Sequence, residues 1–262
     1  MLAHKVAINC RNIDTILDLG PGSKDAILYK SAPIIRAIQP KNYIPVDICE
    51  EFVSLAEKQI KFLFPYVDTD GVCANFFDME QYFKQLKKPV LMMSFGSWIS
   101  NIPTATNAGF PRLAVMSQLR KLIRYLPKGS RLLLSQDACQ DEGKIVRSYS
   151  GQDKSRFSQN VLYRIKRDLD ISGFDPSLFV YEPKWHADRF LLAHTLISQK
   201  NQRFSFQGDE VEIVEGQELI VCNSYKYPME DFINMLHEIG LSSLETLMCN
   251  PDGVVLHLAT IE

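Results

Sequence analysis

Asp18-Leu19-Gly20-Pro21-Gly22-Ser23 follows an apolar run at 15–19 and reads as a buried strand feeding a glycine turn and then a helix. Glycine at Gly20 and Gly22 lets the backbone pass close to a ligand and take positive φ. The third glycine of a dinucleotide fingerprint would fall at position 25, where the chain has Asp25. A carboxylate beside a helix N-terminus is a poor neighbour for a pyrophosphate, so the turn points to a nucleoside without phosphates rather than to NAD. Asp47 stands 27 residues after Gly20, at the end of a second short run at 43–46. A carboxylate there can accept both hydroxyls of a ribose; the competing role is a helix N-cap. Asn75-Phe76 ends a third candidate strand at 72–74. Asn75 can hydrogen-bond an adenine edge and Phe76 can flank its face, although Phe76 reads equally well as core.

Other chemistries leave no trace. The five histidines, at 4, 186, 194, 237 and 257, show no metal-ligand spacing, so no zinc or other metal is expected. The six cysteines form no C-x-x-C pair, and no two lie closer than 24 residues; reduced thiols in a cytoplasmic protein are the expectation. No nucleophile–base signature is present. The net charge of −2 offers no basic excess for a phosphate backbone, so nucleic acid is not expected as a partner. The longest apolar runs, 90–93 and 190–193, are far below the roughly 20 residues of a membrane span. No secretory signal is visible at 1–12.

The elements that must position these residues follow from the pattern. With 262 residues, 46% hydrophobic and 23% charged, the usage is that of a globular protein. Strand and helix signals alternate through the first half: strands at 15–19, 43–46, 72–74, 89–94 and 130–135, helices at 26–37, 49–62, 79–86 and 111–126. Such alternation predicts a parallel, doubly wound sheet with right-handed crossovers, whose ligands sit outside the strand carboxyl ends. Gly20-Pro21-Gly22, Asp47, Asn75-Phe76, Gly96-Ser97 and Asp137 all fall at those ends. The second half reads as helical over 142–170 with a break at 150–151, then as short runs at 178–181, 191–197, 203–206, 210–214 and 218–221, an antiparallel insertion or cap. A helix at 230–240 and a hairpin of 241–248 with 254–261 close the chain. The expected division is a nucleoside-binding core at 1–140, a substrate-binding insertion at 141–227, and a helix and hairpin at 228–262 that complete the core sheet. A parallel sheet finished by an antiparallel hairpin is the usual build of S-adenosylmethionine-dependent methyltransferases.

The motifs DLGPGS, YIPVD, NFFD, FGSWISN, SQDACQDEGKIVRSY, FSQNVL and GQELIVCNSYKY, in this order from about Ile13 to the C-terminus, resemble the histidine Nα-methyltransferase family of ergothioneine biosynthesis. The resemblance implies a Rossmann-like class I methyltransferase core with a smaller substrate-binding part. It implies S-adenosylmethionine as cofactor and a small amine or amino acid as substrate. It aligns Gly20 and Asp47 with the family's cofactor glycine and ribose-binding aspartate, and Asn75-Phe76 with an adenine-binding Asp-Phe pair. Gly96 and Asn101 align with residues that hold the amino-acid end of the substrate, Tyr149 with a substrate-contacting tyrosine, and Ser224 with one of two residues that read the imidazole. The expected cofactor set is thus Gly20, Gly22, Asp47, Asn75, Phe76 and Gly96. The expected catalytic set is Asn101, Tyr149, Ser224 and Asn160, the last either facing the same cavity or capping a helix at 161–170. Asp137 could touch substrate or only close its strand.

Three departures bear on the substrate. The family's second imidazole reader is a glutamate, aligned with Cys222, and a thiol cannot supply a carboxylate acceptor. The family's N-terminal lid finds only about 12 residues before the first strand, and its lysine after the glycine turn aligns with Ala26. The expectation is therefore N-methylation of a small amino-acid-like amine other than histidine. Aromatic faces from Trp98, Tyr149 or Tyr225 could stabilise a sulfonium or a methylated ammonium. Two other readings stay open. One is cyclisation of S-adenosylmethionine on itself to azetidine-2-carboxylate with release of methylthioadenosine. The other is a non-catalytic nucleoside-binding module.

Overall fold

The structure is a computed structural model that describes residues 2–96, 98–102, 111–250 and 253–262. Ser97, Pro103 and the Pro251-Asp252 pair of the closing turn lie outside the described residues. The described residues form two compact units, one of 2–96, 98–102 and 111–138 with 227–250 and 253–262, the other of Cys139–Lys226.

The first unit starts with α1 (Leu2–Asn9) and β1 (Thr15–Leu19). The next helix begins as α2 (Lys24–Ala26), passes through a π-helical turn at Ile27–Ser31 and continues as α3 (Ala32–Ile38). β2 (Asn42–Asp47), α4 (Glu50–Leu63), β3 (Asp68–Thr69), β4 (Val72–Cys73) and α5 (Glu80–Gln85) follow. Next come β5 (Leu91–Ser94), α6 (Arg112–Ile123) and β6 (Arg131–Asp137). α4 shows why these helices pack: Val53, Ala56 and Ile60 share one buried stripe, and Glu50 and Glu51 in the first turn face the positive end of the helix dipole.

The second unit carries α7 (Glu142–Tyr149), α8 (Gln152–Asp168), β7 (Phe179–His186), β8 (Leu191–Ser198), β9 (Gln202–Phe206), β10 (Asp209–Ile213) and β11 (Glu218–Tyr225). β11, β8 and β7 form one antiparallel sheet, and β10 pairs with β9. Leu162, Phe174, Phe179, Leu196 and Ile213 form its core. The chain then returns to the first unit as α9 (Met229–Glu238), β12 (Leu241–Met248) and β13 (Val254–Ile261).

The first unit's sheet has the order β12-β13-β6-β5-β1-β2-β3, with β4 also paired to β2. β1, β2, β5 and β6 run parallel, and β13 is antiparallel to both β6 and β12. This is the mostly parallel α/β sheet with a closing antiparallel hairpin that the sequence pattern predicts. All four residues of β5 are buried, as a strand covered on both faces must be. Because β13 runs against β6, its first residue, Val254, pairs with Asp137 at the carboxyl edge.

Several elements differ from the sequence expectation. α1 is unannounced because it buries one residue fully, Val6, and one contact gives no period. β7 extends to His186 across Pro183; it is an edge strand, where a missing N–H is tolerated. β11 reaches Tyr225 because a register shift between Ile220 and Cys222 interrupts its alternation. Asn160 does not cap a helix at 161–170: α8 already begins at Gln152.

Candidate active site

The glycine turn is built as its residues dictate. Gly20 and Gly22 have φ of +70° and +71°. The Gly20 N–H donates to the Val46 carbonyl at 2.8 Å, which fixes the turn to β2. The Ser23 hydroxyl caps α2 by accepting from the Ala26 N–H at 3.3 Å. A Cβ on Gly20 would meet no atom within 4 Å, so the turn borders open space that a ligand can enter.

Beneath it lies a network that the single residues do not announce. Asp18, 1% exposed, accepts hydrogen bonds from the Ser31 hydroxyl at 2.6 Å and the Tyr43 hydroxyl at 2.8 Å. Burial pushes the Asp18 carboxyl up to about 6, against the pull of those two donors. Burial and the adjacent Asp18 raise the Tyr43 phenol well above its ordinary value. Ser31 belongs to the π turn, so this network ties β1, β2 and the first helix together under the turn.

Asp47 ends β2, and its Oδ1 accepts from the Cys49 N–H at 3.0 Å. Its other oxygen takes no hydrogen bond among the described residues. It is not the cap of α4, whose N-cap position is Cys49. Asn75 accepts from the Phe77 N–H at 3.1 Å and donates to Asp78 Oδ2 at 3.0 Å. That leaves one amide hydrogen and one lone pair for a ligand. Phe76 stacks obliquely on Phe77 at 4.7 Å and on Trp98 at 5.6 Å, and Phe77 meets Trp98 edge-on at 5.3 Å. Trp98 Nε1 donates to the Ser94 hydroxyl at 2.7 Å, and that hydroxyl donates to the Leu19 carbonyl at 3.2 Å. The aromatic trio is thereby linked to the residue before Gly20. Half-buried Gly96 and exposed Asn101 flank this same loop, Asn101 as the last residue of a short 3-10 helix. Asp137 closes β6.

A second polar cluster lies in the second unit. His194 on β8 is 8% exposed; its Nδ1 meets the Tyr181 hydroxyl at 3.0 Å and its Nε2 meets the Ser224 hydroxyl at 3.2 Å. Burial, reinforced by Lys154 and Lys226, pushes the imidazole down to about 4. The ring is therefore neutral near pH 7, so one ring nitrogen donates and the other accepts. Tyr149, the last residue of α7, packs edge-on against His194 at 5.2 Å. The Lys226 ammonium donates to the Tyr149 hydroxyl at 2.8 Å and lies 4.7 Å from the ring centre, and Lys154 lies 5.5 Å from it. Cys222, a surface-exposed residue, pairs with His194 across the strands, and partial desolvation of its thiol raises it.

Tyr149 and Ser224 are thus brought together through His194, a residue with no sequence signal, and Lys226 joins them. Asn160 is exposed on α8 and stands apart; its neighbour Gln159 instead donates to the Phe179 carbonyl at 2.6 Å. Tyr225 is 1% exposed, so its ring is core. Among the described residues no three His, Cys, Asp or Glu side chains cluster as a metal site, all six cysteines are free, and no helix is long and apolar enough to cross a membrane.

A parallel sheet closed by an antiparallel hairpin, with a glycine turn after β1 and a carboxylate ending β2, defines the class of S-adenosylmethionine-dependent methyltransferases with a Rossmann-like core. The fold agrees with that of an S-adenosylmethionine-dependent methyltransferase from Clostridium acetobutylicum, at TM-score 0.54 and 12% identity, over 99% of this chain and 89% of that one. The chain belongs to the family of histidine-specific, S-adenosylmethionine-dependent methyltransferases, whose family model matches residues 2–260. It is 27% identical to the histidine N-alpha-methyltransferase of Mycolicibacterium smegmatis, over 87% of this chain and 69% of that one. It is 21% identical to the 4-dimethylallyltryptophan N-methyltransferase of Trichophyton verrucosum, over 93% of this chain and 74% of that one. The protein is accordingly a methyltransferase that uses S-adenosylmethionine.

Proposed function

We propose that this enzyme N-methylates a small amino-acid-like amine other than histidine. The observation that carries the proposal is the pairing of Ser224 with His194. The hydroxyl aligned with the family's imidazole reader is engaged at 3.2 Å by an imidazole of the chain itself. The partner position, Cys222, offers a thiol in place of a carboxylate. A site that reads a ring N–H through buried acceptors loses that substrate heavily when an acceptor goes. The relative named for 4-dimethylallyltryptophan supports acceptors beyond histidine.

Gly20, Gly22, Asp47, Asn75, Phe76 and Gly96 are the residues suited to holding the methyl donor. The open space at Gly20 accepts close backbone approach, the spare Asp47 oxygen accepts from a ribose hydroxyl, and the Phe76–Phe77–Trp98 trio borders an adenine. When bound, S-adenosylmethionine supplies an electrophilic methyl group on a sulfonium. The protein's part is alignment and exclusion of water, with Asn101 and Tyr149 orienting the acceptor. The amine must be uncharged to attack. Lys226 and Lys154 bring two ammonium groups to Tyr149, and nearby positive charge favours the free base of an amine over its ammonium form. Donor and acceptor are tested together by mass spectrometry of the products formed from S-adenosylmethionine and single amino acids. S-adenosylhomocysteine with an N-methylated amino acid other than histidine supports the proposal; methylated histidine as the main product rejects it, and methylthioadenosine formed without an acceptor rejects it in favour of cyclisation.

A further inference from the structure

We propose that a cavity of about 600 Å³ in the first unit receives the side chain of the acceptor, so that the acceptor is an aliphatic or aromatic amino acid. This rests on the transferase reading above and specifies its substrate class. The cavity lies at the carboxyl edge of the sheet. Phe95, the residue between β5 and Gly96, forms part of its wall, as do Ser135 on β6 and Val254 and Leu256 on β13. Gly96, assigned above to the donor, is therefore one residue away from it along the chain. The lining contains no Asp, Glu, His, Asn or Gln. Lys30 at the mouth is its one charged group, so a charged or amide side chain placed deeper than that would lose its hydration without compensation, whereas an indole or branched alkyl group would not. The volume falls within the ~300–1,000 Å³ range of small-molecule sites.

The π turn sets Tyr29, 79% exposed, and Lys30 at the mouth. Lys30 has no salt bridge among the described residues, so its ammonium is available to a carboxylate left outside the apolar space. An amino acid with its side chain inside and its carboxylate at the mouth matches both features. Ala3 on α1 and Cys249 after β12 also line the space, and both give handles for the test.

The wild-type enzyme is assayed with S-adenosylmethionine and single amino acids, and Cys249 alkylation is followed by peptide mass spectrometry with and without each amino acid. Ala3→Trp, which fills the cavity from α1, is then compared. The proposal expects kcat/KM for aliphatic or aromatic amino acids at least tenfold above that for serine, glutamate or histidine. It expects those same compounds to protect Cys249. In A3W it expects KM for them to rise at least tenfold, with donor affinity by calorimetry unchanged. Preference for polar acceptors, wild-type KM in A3W, or a Cys249 already shielded in the free protein by a segment of its own chain would each overturn it. If A3W does not fold, the protection measurement on wild type decides. If no amine is methylated, the transferase reading fails. Protection of Cys249 by apolar amino acids alone would then still support the cavity as their site, and its absence would refute that.

Discussion

The ammonium of Lys226, a residue with 2% of its surface exposed, donates to the hydroxyl of Tyr149 at 2.8 Å. A lysine is rarely buried without a partner, and here the bond fixes which way the phenol presents its own proton. Lys226→Met removes both the donor and a positive charge near the acceptor amine. The expected result is a fall in kcat of about tenfold, roughly 1.4 kcal/mol, with donor affinity unchanged. The acidic limb of the kcat–pH profile should also move to higher pH, because an amine freed of a neighbouring cation holds its proton longer. An unshifted profile with full activity would remove Lys226 from the mechanism.

Asp47 should act on the donor alone. In Asp47→Ala, calorimetry should show S-adenosylmethionine binding weakened by about 1–3 kcal/mol, with a melting temperature close to wild type because the carboxylate is only half-buried. Unaltered donor affinity would place the ribose elsewhere.

Gly20→Ala separates conformation from space. The added Cβ meets nothing within 4 Å, but the position requires φ of +70°. Thermal or denaturant unfolding should show a loss of about 1 kcal/mol, and donor affinity should drop further because the Cβ enters the space the ligand uses.

Buried groups set the pH response. The Asp18 carboxyl holds its proton up to about 6 in the folded state, against the ordinary 3.8. The folded state therefore binds more protons between those values, and this residue makes stability fall as pH rises from about 4 to about 6. His194 and His257, both pushed down to about 4 chiefly by burial, act the other way. The unfolded chain binds more protons below its ordinary 6.5, so their contribution is lost as pH falls from 6.5 towards 4. His257 Nε2 meets Gln136 Oε1 at 2.6 Å, while Gln136 Nε2 donates to the Tyr227 carbonyl at 2.5 Å. Gln136 thus accepts from the imidazole N–H, and the neutral tautomer is fixed. Denaturant midpoints across pH 4–7 should differ in slope between wild type and Asp18→Asn, with the variant stabilised relative to its own acid value as pH rises. NMR should find both imidazoles neutral at pH 6; ring signals titrating near 6.5 would contradict the burial argument.

Much of the fold is legible because periodicity and punctuation agree. The run at 15–19 ends in two glycines that the turn requires, and the uninterrupted apolar character of β5 matches burial on both faces. β7 and β11 are less legible for local reasons. The run at 178–181 stops short of Pro183, which the edge position of β7 tolerates within the strand, and the bulge before Cys222 shifts which residues face the core. The site divides in the same way. Gly20 and Asp47 stand at strand ends, where topology alone marks them. His194, Lys226 and Asp18 are defined by partners far along the chain, 30, 77 and 25 residues away for Ser224, Tyr149 and Tyr43. No window of sequence contains both members of such a pair.

Methyl transfer to the amine of an amino acid that is not histidine is the reaction proposed for this enzyme. The most direct measurement is a competition: one incubation of the wild-type enzyme with S-adenosylmethionine and an equimolar pool of amino acids, analysed by mass spectrometry for methylated products and for the fate of the donor. The expected products are S-adenosylhomocysteine and an N-methylated amino acid other than histidine. Trimethylated histidine as the main product, or a donor consumed to methylthioadenosine with every amino acid unmodified, would contradict this.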